Sequence, residues 1–300
     1  MENYLLAMAV FAGLYALMAL GLNVIWGLAG MINLGLAGFF AVGAYASALL
    51  TVRMGWPIWA GVAAAAGASM AVGVGVALVT ARLRGDYLAI VTLGFSEVVR
   101  LVASNEIWLT NGTDGISGIP GPWRGALSSL EYNMVFAGLV WAVVLVVAAG
   151  LARLAAAPFG RVLRAIREDE VVAAVAGKRT LWFKVQAFGL GGAVLGVAGG
   201  LYAHFNAYVA PDAFQPLVTI YVVLALVAGG TGRMSGAVLG AILVVALQEG
   251  ARFGAAELPG LSPVQVASVR AGAIGVALIL VLHGRPNGLL PERVRRYARP

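Results

Sequence analysis

Long apolar runs alternate with short clusters of charged, Gly, Pro and Asn residues along almost the whole chain. Residues 3–52 contain no charged side chain. This stretch is long enough to cross a hydrocarbon core twice, since each helical crossing needs about 20 residues. Dividing the sequence at the interruptions predicts about nine membrane-spanning helices. They comprise residues 3–25, 31–51, 57–80, 86–104, 132–152, 185–205, 216–230, 235–253 and 264–283.

The composition is typical of a protein whose main solvent is a lipid bilayer. Hydrophobic residues make up 61% of the 300 and charged residues only 11%, whereas soluble domains carry roughly 25% charged residues. Backbone polar groups in lipid must be satisfied within the structure, which favours helices. We therefore predict an all-α fold, a polytopic transmembrane helical bundle of about nine spans (8–10). It is expected to form one domain over residues 1–300.

Lys and Arg residues are distributed unequally between the two sets of predicted loops. Cytoplasmic loops are enriched in both residue types, so the loops after the third, fifth, seventh and ninth spans are expected to face the cytoplasm. The amino terminus then lies outside and the carboxyl terminus inside. Fifteen of the 20 Lys and Arg residues fall on the predicted cytoplasmic side, namely Arg82, Arg84, Arg153, Arg161, Arg164, Arg167, Lys178, Arg179, Lys184, Arg233, Arg285, Arg293, Arg295, Arg296 and Arg299.

Two connections between the spans are longer than topology requires, an outer loop (residues 105–131) and a cytoplasmic loop (153–184). A basic cytoplasmic tail (284–300) follows the last span. Loops carried by a rigid scaffold often hold functional residues, so we expect function to concentrate in the two loops.

The cytoplasmic loop has the pattern of two short helices. Arg161, Arg164 and Arg167 recur at helical spacing on one face. Asp169 is placed to cap a second helix and Gly177 to end it. A soluble partner could grip such a pair, or the first helix could rest on lipid headgroups with its arginines in water. The composition by itself favours the headgroup interpretation.

The outer loop contains the glycine-rich run TNGTDGISGIPGP, beginning at Thr110. Glycine at every third position predicts irregular backbone rather than a helix. Exposed amides and the Asp114 carboxylate could form a docking site for an external partner or an outer gate, and a packed cap over the outer vestibule explains the pattern equally well. The candidate residues are Asn111, Gly112, Asp114 and Gly115.

Two pairs of ionisable residues lie within or near predicted spans. Glu97 and Arg100 are three residues apart, as are Glu249 and Arg252, so each pair shares a helical face. Ionisable groups inside a membrane are candidates for a proton relay. Salt bridges that hold helices in place are favoured here, because neither pair belongs to a series of carboxylates.

Several kinds of chemistry are excluded by what the sequence lacks. With no cysteine and only two histidines, thiol catalysis and a metal site are not expected. The one Gly-Lys pair, Gly177-Lys178, is followed by Arg179, so there is no phosphate-binding loop of the GxxxxGK[ST] type. We expect no cofactor and no catalytic residues. The net charge of +7 is explained by topology rather than by nucleic-acid binding.

Six segments carry a resemblance that covers nearly all of the chain. They are YALMALGLNVIWGLAGMINLGLAGFFAVGAYASALL from Tyr15, RLRGDYLAIVTLGFSEVVRLV from Arg82, TNGTDGISGIPGP from Thr110, FGRVLRAIREDEVVAAVAG from Phe159, GGTGRMSGAVLGA from Gly229 and HGRPNGLLPER from His283. On these segments the chain closely resembles the branched-chain amino-acid ABC permease family, in particular its LivM-type branch.

The resemblance implies a non-catalytic permease subunit of a type II importer in the cell inner (plasma) membrane. The implied partners are a second, LivH-type permease, two cytoplasmic ATP-binding subunits and a periplasmic or extracellular solute-binding protein. The cytoplasmic loop then becomes the element that couples the permease to the ATPase, which reverses the preference stated from composition. The residues that match the family pattern are Gly160, Arg164, Ala165, Ile166, Arg167, Glu168, Glu170, Ala173, Ala174 and Gly177.

The chain departs from the family pattern at two positions of interest. Leu36 stands where relatives often carry a polar His or Gln, and Lys178 stands where they carry an aliphatic residue. The cargo is expected to be a branched-chain or related amino acid. Urea, short amides and aromatic carboxylates are alternatives within the family, and an ion-coupled secondary transporter is the alternative from another class.

Overall fold

A computed structural model describes residues 2–83, 85–256, 263–285 and 287–292 of the chain. The fold is built from helices that run back and forth, with two short strands on one side. The helices are α1 (Glu2–Leu22), α2 (Leu36–Arg53), α3 (Ile58–Val79), α4 (Asp86–Asn105), α5 (Ile107–Thr110), α6 (Ser129–Ala156), α7 (Pro158–Glu168), α8 (Glu170–Val175), α9 (Thr180–Asn206), α10 (Pro216–Gly229), α11 (Met234–Ala256) and α12 (Pro263–Gly284). The strands are β1 (Ile116–Ser117) and β2 (Tyr208–Val209).

The predicted fold class is confirmed. Eight helical segments among the described residues are long and apolar enough to cross a membrane, and α12 coincides with the ninth predicted span. The agreement is close where the sequence carries clear stop signals. The span predicted at 57–80 is observed as Ile58–Val79, and the extended Pro57 directly precedes it. The chain is therefore a multi-pass helical membrane protein.

The second predicted span, 31–51, is wrong at its beginning. A π-helical turn, Asn23–Leu28, follows α1, and residues 30–35 are irregular before α2 begins at Leu36. The irregular backbone is tolerated at membrane depth because neighbouring side chains satisfy its polar groups. Leu34 N–H donates to Thr92 Oγ1 (3.0 Å), and at the start of α2 Ala37 N–H donates to Thr219 Oγ1 (3.2 Å).

Small residues let the central helices approach at the level of their backbones. A Cβ added to Gly192 of α9 would lie 2.6 Å from the Ser69 carbonyl oxygen of α3, and one added to Gly73 would lie 2.6 Å from that of Phe188. Gly236 and Gly240 of α11 likewise face α10. These small-residue faces therefore pack within this chain.

The two sides of the bundle can be told apart by which helix ends meet there. On one side, the Tyr4 hydroxyl donates to Glu249, and Asn133 Nδ2 donates to the Asn3 carbonyl (3.5 Å). These contacts join the start of α1, the start of α6 and the end of α11. The same side carries the β1–β2 pair, and the opposite side carries α7 and α8. We call them the strand side and the α7–α8 side.

Candidate functional site

Helices α7 and α8 form a hairpin whose turns are encoded locally. Pro158 occupies the first turn of α7 after the extended Ala157. Asp169, also extended, accepts hydrogen bonds at Oδ1 from the backbone N–H of Val171 (2.8 Å) and Val172 (3.1 Å). This is the capping arrangement that the sequence predicts at this position.

Gly177 ends α8 in a conformation that suits glycine. Its φ is +78°, in the left-handed region, and an added Cβ would meet no atom within 4 Å. The N–H of Lys178 reaches back to the Ala173 carbonyl (3.1 Å), which satisfies an acceptor at the helix end. A side chain at this position would therefore strain the backbone rather than collide with neighbouring atoms.

The hairpin presents apolar surface away from the bundle. Val171, Val172 and Val175 are 60%, 65% and 85% exposed. A groove of about 490 Å³ lies between α7 and α8 and is lined partly by Val162, Ala165 and Val172. Exposed apolar side chains grouped beside a groove are typical of a surface that a partner covers.

Residues of the candidate coupling set divide between the inside and the outside of this hairpin. Gly160, Ile166 and Ala173 are buried, and a Cβ on Gly160 would collide with the backbone of Ala155. Gly160 therefore lets α7 pack closely against the end of α6. The exposed members are Ala165, Glu168, Ala174 and Gly177, and the half-buried members are Arg164, Arg167 and Glu170.

Two of the half-buried arginines bind one carboxylate near the carboxyl end of the chain. Arg167 Nη2 lies 2.7 Å from Glu292 Oε2, and Arg164 Nη1 lies 3.6 Å from Glu292 Oε1. Arg167 also donates from Nη1 to the carbonyl oxygen of Gly27, in the π-helical turn after α1. Arg164 donates to the Ala155 carbonyl (2.8 Å). The hairpin is thus tied to α1 and to residue 292.

Glu292 is itself anchored to α10 through its backbone neighbours. Leu289 N–H donates to the Ala228 carbonyl and Leu290 N–H to the Gly229 carbonyl, both at 2.9 Å. Residues 287–292 therefore form a strap from the end of α10 to the hairpin. Glu292 is not among the candidate residues predicted from the sequence, although it lies in the segment HGRPNGLLPER that contributes to the family resemblance.

A second ion pair joins the hairpin to the next spanning helix. Lys184 Nζ, in the first turns of α9, lies 2.6 Å from Glu170 Oε1, with side chains 12% and 19% exposed. The hairpin is thus connected to α1, α6, α9 and α10. The contacts with α1, α6 and α9 are direct, and the connection to α10 runs through residues 287–292.

A cavity of about 740 Å³ opens beside this network on the α7–α8 side. Arg167 and Glu292 line it together with Gly30 and Ile32 from the irregular segment before α2. Gly30 has a φ of +72°, and an added Cβ would lie 2.7 Å from Arg167 Cγ. The helix break and the hairpin therefore meet at one polar cavity.

The outer-loop candidates form a packed turn on the strand side. Asn111 is left-handed (φ 63°), and its Nδ2 donates to the Gly115 carbonyl at 3.0 Å. Gly112 and Gly115 are buried, whereas Asn111 and Asp114 are exposed. A 3-10 turn, Gly112–Asp114, occurs where the glycine pattern predicts irregular backbone, because the loop closes back on itself.

Strand pairing and a buried histidine tie this loop to α9. Ile116 pairs with Val209 and Ser117 with Tyr208, antiparallel. His204 is fully buried, with Nε2 2.9 Å from Ser47 Oγ and Nδ1 2.6 Å from the Pro120 carbonyl. Both ring nitrogens of this histidine therefore have protein partners.

The predicted intramembrane ion pairs are each brought together. Arg100 Nε lies 3.0 and 3.1 Å from the two carboxylate oxygens of Glu97. Arg252 Nη1 lies 3.7 Å from Glu249 Oε2, and the same carboxylate accepts from Tyr4. Leu36, one of the positions set apart from the family pattern, is buried in the first turn of α2. Lys178, another such position, is exposed after α8.

The fold and the hairpin define a multi-pass membrane protein of the permease class, and comparison with known proteins gives the family. A profile described as branched-chain amino acid transport system / permease component matches residues 4–282. The chain belongs to this family.

Named relatives agree over almost the whole chain. The high-affinity branched-chain amino acid transport system permease proteins LivM of Salmonella typhimurium and Escherichia coli are 34% and 35% identical, over 94% of this chain and 69% of each relative. A probable branched-chain amino acid transport permease protein LivM of Methanocaldococcus jannaschii is 29% identical, over 94% of this chain and 91% of that protein. No solved structure matches the chain significantly.

Proposed function

We propose that this chain is the non-catalytic permease subunit of an ATP-binding-cassette importer for branched-chain or related amino acids. The observation that carries the proposal is the α7–α8 hairpin. It exposes Val171, Val172 and Val175 to a partner, and its other face is joined by charged contacts to the spanning helices. Membership of the family and the names of its relatives support the choice of cargo.

The contacts of the hairpin suggest how movement reaches the transport path. Closure of the ATP-binding subunits displaces α7 and α8. Arg167 carries that displacement to the π-helical turn at Gly27, and Glu292 carries it to the end of α10. Because the irregular segment 30–35 follows Gly27 directly, the helix break is the part of the spanning region that responds first.

The proposal places three kinds of partner around the chain. A second, LivH-type permease completes the path in the bilayer, and two ATP-binding subunits lie on the α7–α8 side. A solute-binding protein delivers cargo on the strand side, with Asn111 and Asp114 as exposed contacts on its docking surface. In the cell inner membrane the amino terminus then lies outside and the carboxyl terminus in the cytoplasm.

Cross-linking tests where the ATP-binding subunits dock. The chain contains no cysteine, so a single Val175→Cys variant gives one reactive position. In the purified complex we expect a short thiol-to-amine cross-linker to join position 175 to an ATP-binding subunit. Val146→Cys, 73% exposed on α6 and at membrane depth, is the matched control and should give no such product. Equal yields from both, or none from Val175→Cys, would contradict the docking site.

A further inference from the structure

A long groove runs between α6 and α11 on the outer surface of the bundle. Its volume is about 830 Å³. The walls are mainly apolar, with Leu145, Ala148 and Ala152 from α6 and Val238 and Leu239 from α11. Leu145 and Leu239 are 67% and 43% exposed. The described residues thus leave an open apolar channel between two spanning helices.

The length and depth of the groove correspond to one leaflet of a bilayer. On α6 its lining extends from Leu145 to Ala156, the last residue of the helix. Eleven residues of α-helix rise about 16 Å, and the hydrocarbon core is about 30 Å thick. The groove therefore begins near the membrane midplane and ends at the surface on the α7–α8 side.

Cationic side chains line the groove at its surface end. Arg233 and Arg164 both contribute to it. Arg164 forms an ion pair with Glu292 at 3.6 Å and donates a hydrogen bond to the Ala155 carbonyl. The side chain of Arg233 makes no ion pair or hydrogen bond with any residue that the structure describes. An apolar channel with an uncompensated cation at one end is complementary to an amphiphile with an anionic head.

We propose that this groove binds one anionic phospholipid from the leaflet on the α7–α8 side. An acyl chain occupies the channel over Ala148, Ala152 and Val238, and the phosphate lies against Arg233. Basic pockets between spanning helices are a known means of holding lipid headgroups. A helix of a partner subunit could fill the apolar part, but it would have to supply an acidic residue beside Arg233. An anionic phospholipid carries its own phosphate, which would lie beside Arg233.

Native mass spectrometry of the purified complex, delipidated and titrated with phosphatidylglycerol or phosphatidylcholine, tests the site. We expect the wild type to retain one phosphatidylglycerol about tenfold more tightly than phosphatidylcholine. Arg233→Gln should lose this preference. Arg153→Gln is the matched control, because Arg153 is exposed on the last turns of α6, which forms one wall of the groove, but does not line the groove. This variant should bind as the wild type does.

A second variant probes the apolar channel rather than the charge. Ala152→Trp should reduce retention of both lipids, with size-exclusion profiles showing that the complex remains assembled. The proposal is overturned if Arg233→Gln and Ala152→Trp both retain phosphatidylglycerol as the wild type does. It is equally overturned if Leu239→Cys cross-links efficiently to the partner permease, since the groove would then be a subunit interface.

Discussion

Glu292 and Arg167 are separated by 125 residues of sequence, and their side chains form an ion pair with 2.7 Å between Oε2 and Nη2. The pair joins the strap on α10 to the hairpin helix α7, and the same arginine binds the Gly27 carbonyl. Both side chains are about three-quarters buried or more. Movement of the hairpin would therefore be transmitted to the spanning helices through Glu292 and Arg167.

The first prediction concerns this ion pair. Hydrogen bonds to charged groups contribute about 1.5–3 kcal/mol. Loss of the Glu292–Arg167 pair should therefore shift the equilibrium between the hairpin bound to residue 292 and the hairpin released from it by about tenfold or more. We expect Glu292→Gln and Arg167→Ala each to lower amino-acid uptake per ATP hydrolysed by about tenfold in proteoliposomes that contain the whole transporter.

Arg161→Ala is the control for the ion-pair variants. Arg161 lies on the same helix and is exposed, and within the described chain its side chain donates only to the nearby Ala156 carbonyl. We expect its uptake per ATP to stay near the wild-type value. The double variant Glu292→Gln/Arg167→Ala should be no worse than the poorer single variant, because contacting residues are non-additive. Additive losses would show that the two residues act separately.

The second prediction concerns the end of α8. Gly177 has a left-handed backbone with open space around it, so a substitution acts through the backbone alone. Gly177→Val should cost about 1–2 kcal/mol locally, whereas Gly177→Asn should cost less because Asn tolerates this conformation. We expect faster hydrogen exchange in α8 and reduced coupled uptake for Val, with both largely restored for Asn. Equal effects of Val and Asn would contradict the backbone explanation.

The third prediction concerns the contact between α3 and α9. Gly192→Leu places a side chain against the Ser69 backbone, which cannot rotate away. Overpacking costs about 1–3 kcal/mol, and we expect lower thermal stability and less monodisperse protein in detergent. Gly67→Leu, on α3 with nothing within 4 Å of an added Cβ, should behave as the wild type. Equal stability of the two variants would exclude a close contact between these helices.

The fourth prediction concerns orientation. Since the chain lacks cysteine, Asp114→Cys and Lys178→Cys report on opposite sides of the bundle. An impermeant maleimide added to right-side-out vesicles should label position 114 and leave position 178 unlabelled, and inside-out vesicles should give the reverse. The opposite pattern would invert the orientation that the Lys and Arg distribution predicts.

Features with local causes could be predicted from the sequence. Asp169 and Gly177 mark the start and end of α8 through their own side-chain and backbone preferences, and the structure places both as expected. The lengths of the apolar runs alone predict the spanning helices. The predicted fold class is therefore confirmed, although some helix boundaries differ from those predicted.

Features with distant causes could not be predicted. Residues 30–35 belong to an uncharged apolar run whose composition predicts a helix. The break in this helix is stabilised by Thr92 and Thr219, far along the chain. Glu292 likewise lies in a tail whose composition suggests only solvent or headgroups. Its partners lie on α7, and no local sequence pattern reports such a contact.

Reconstituted uptake tests the central claim, that this chain translocates an amino acid under the drive of separate ATP-binding subunits. The transporter is placed in proteoliposomes with radiolabelled leucine, the solute-binding protein outside and ATP inside, and an ionophore dissipates ion gradients. We predict uptake that requires ATP and intact ATP-binding subunits and persists with the ionophore, including in a Glu97→Gln variant. Uptake by this chain alone, driven by an ion gradient and abolished in Glu97→Gln, would contradict it.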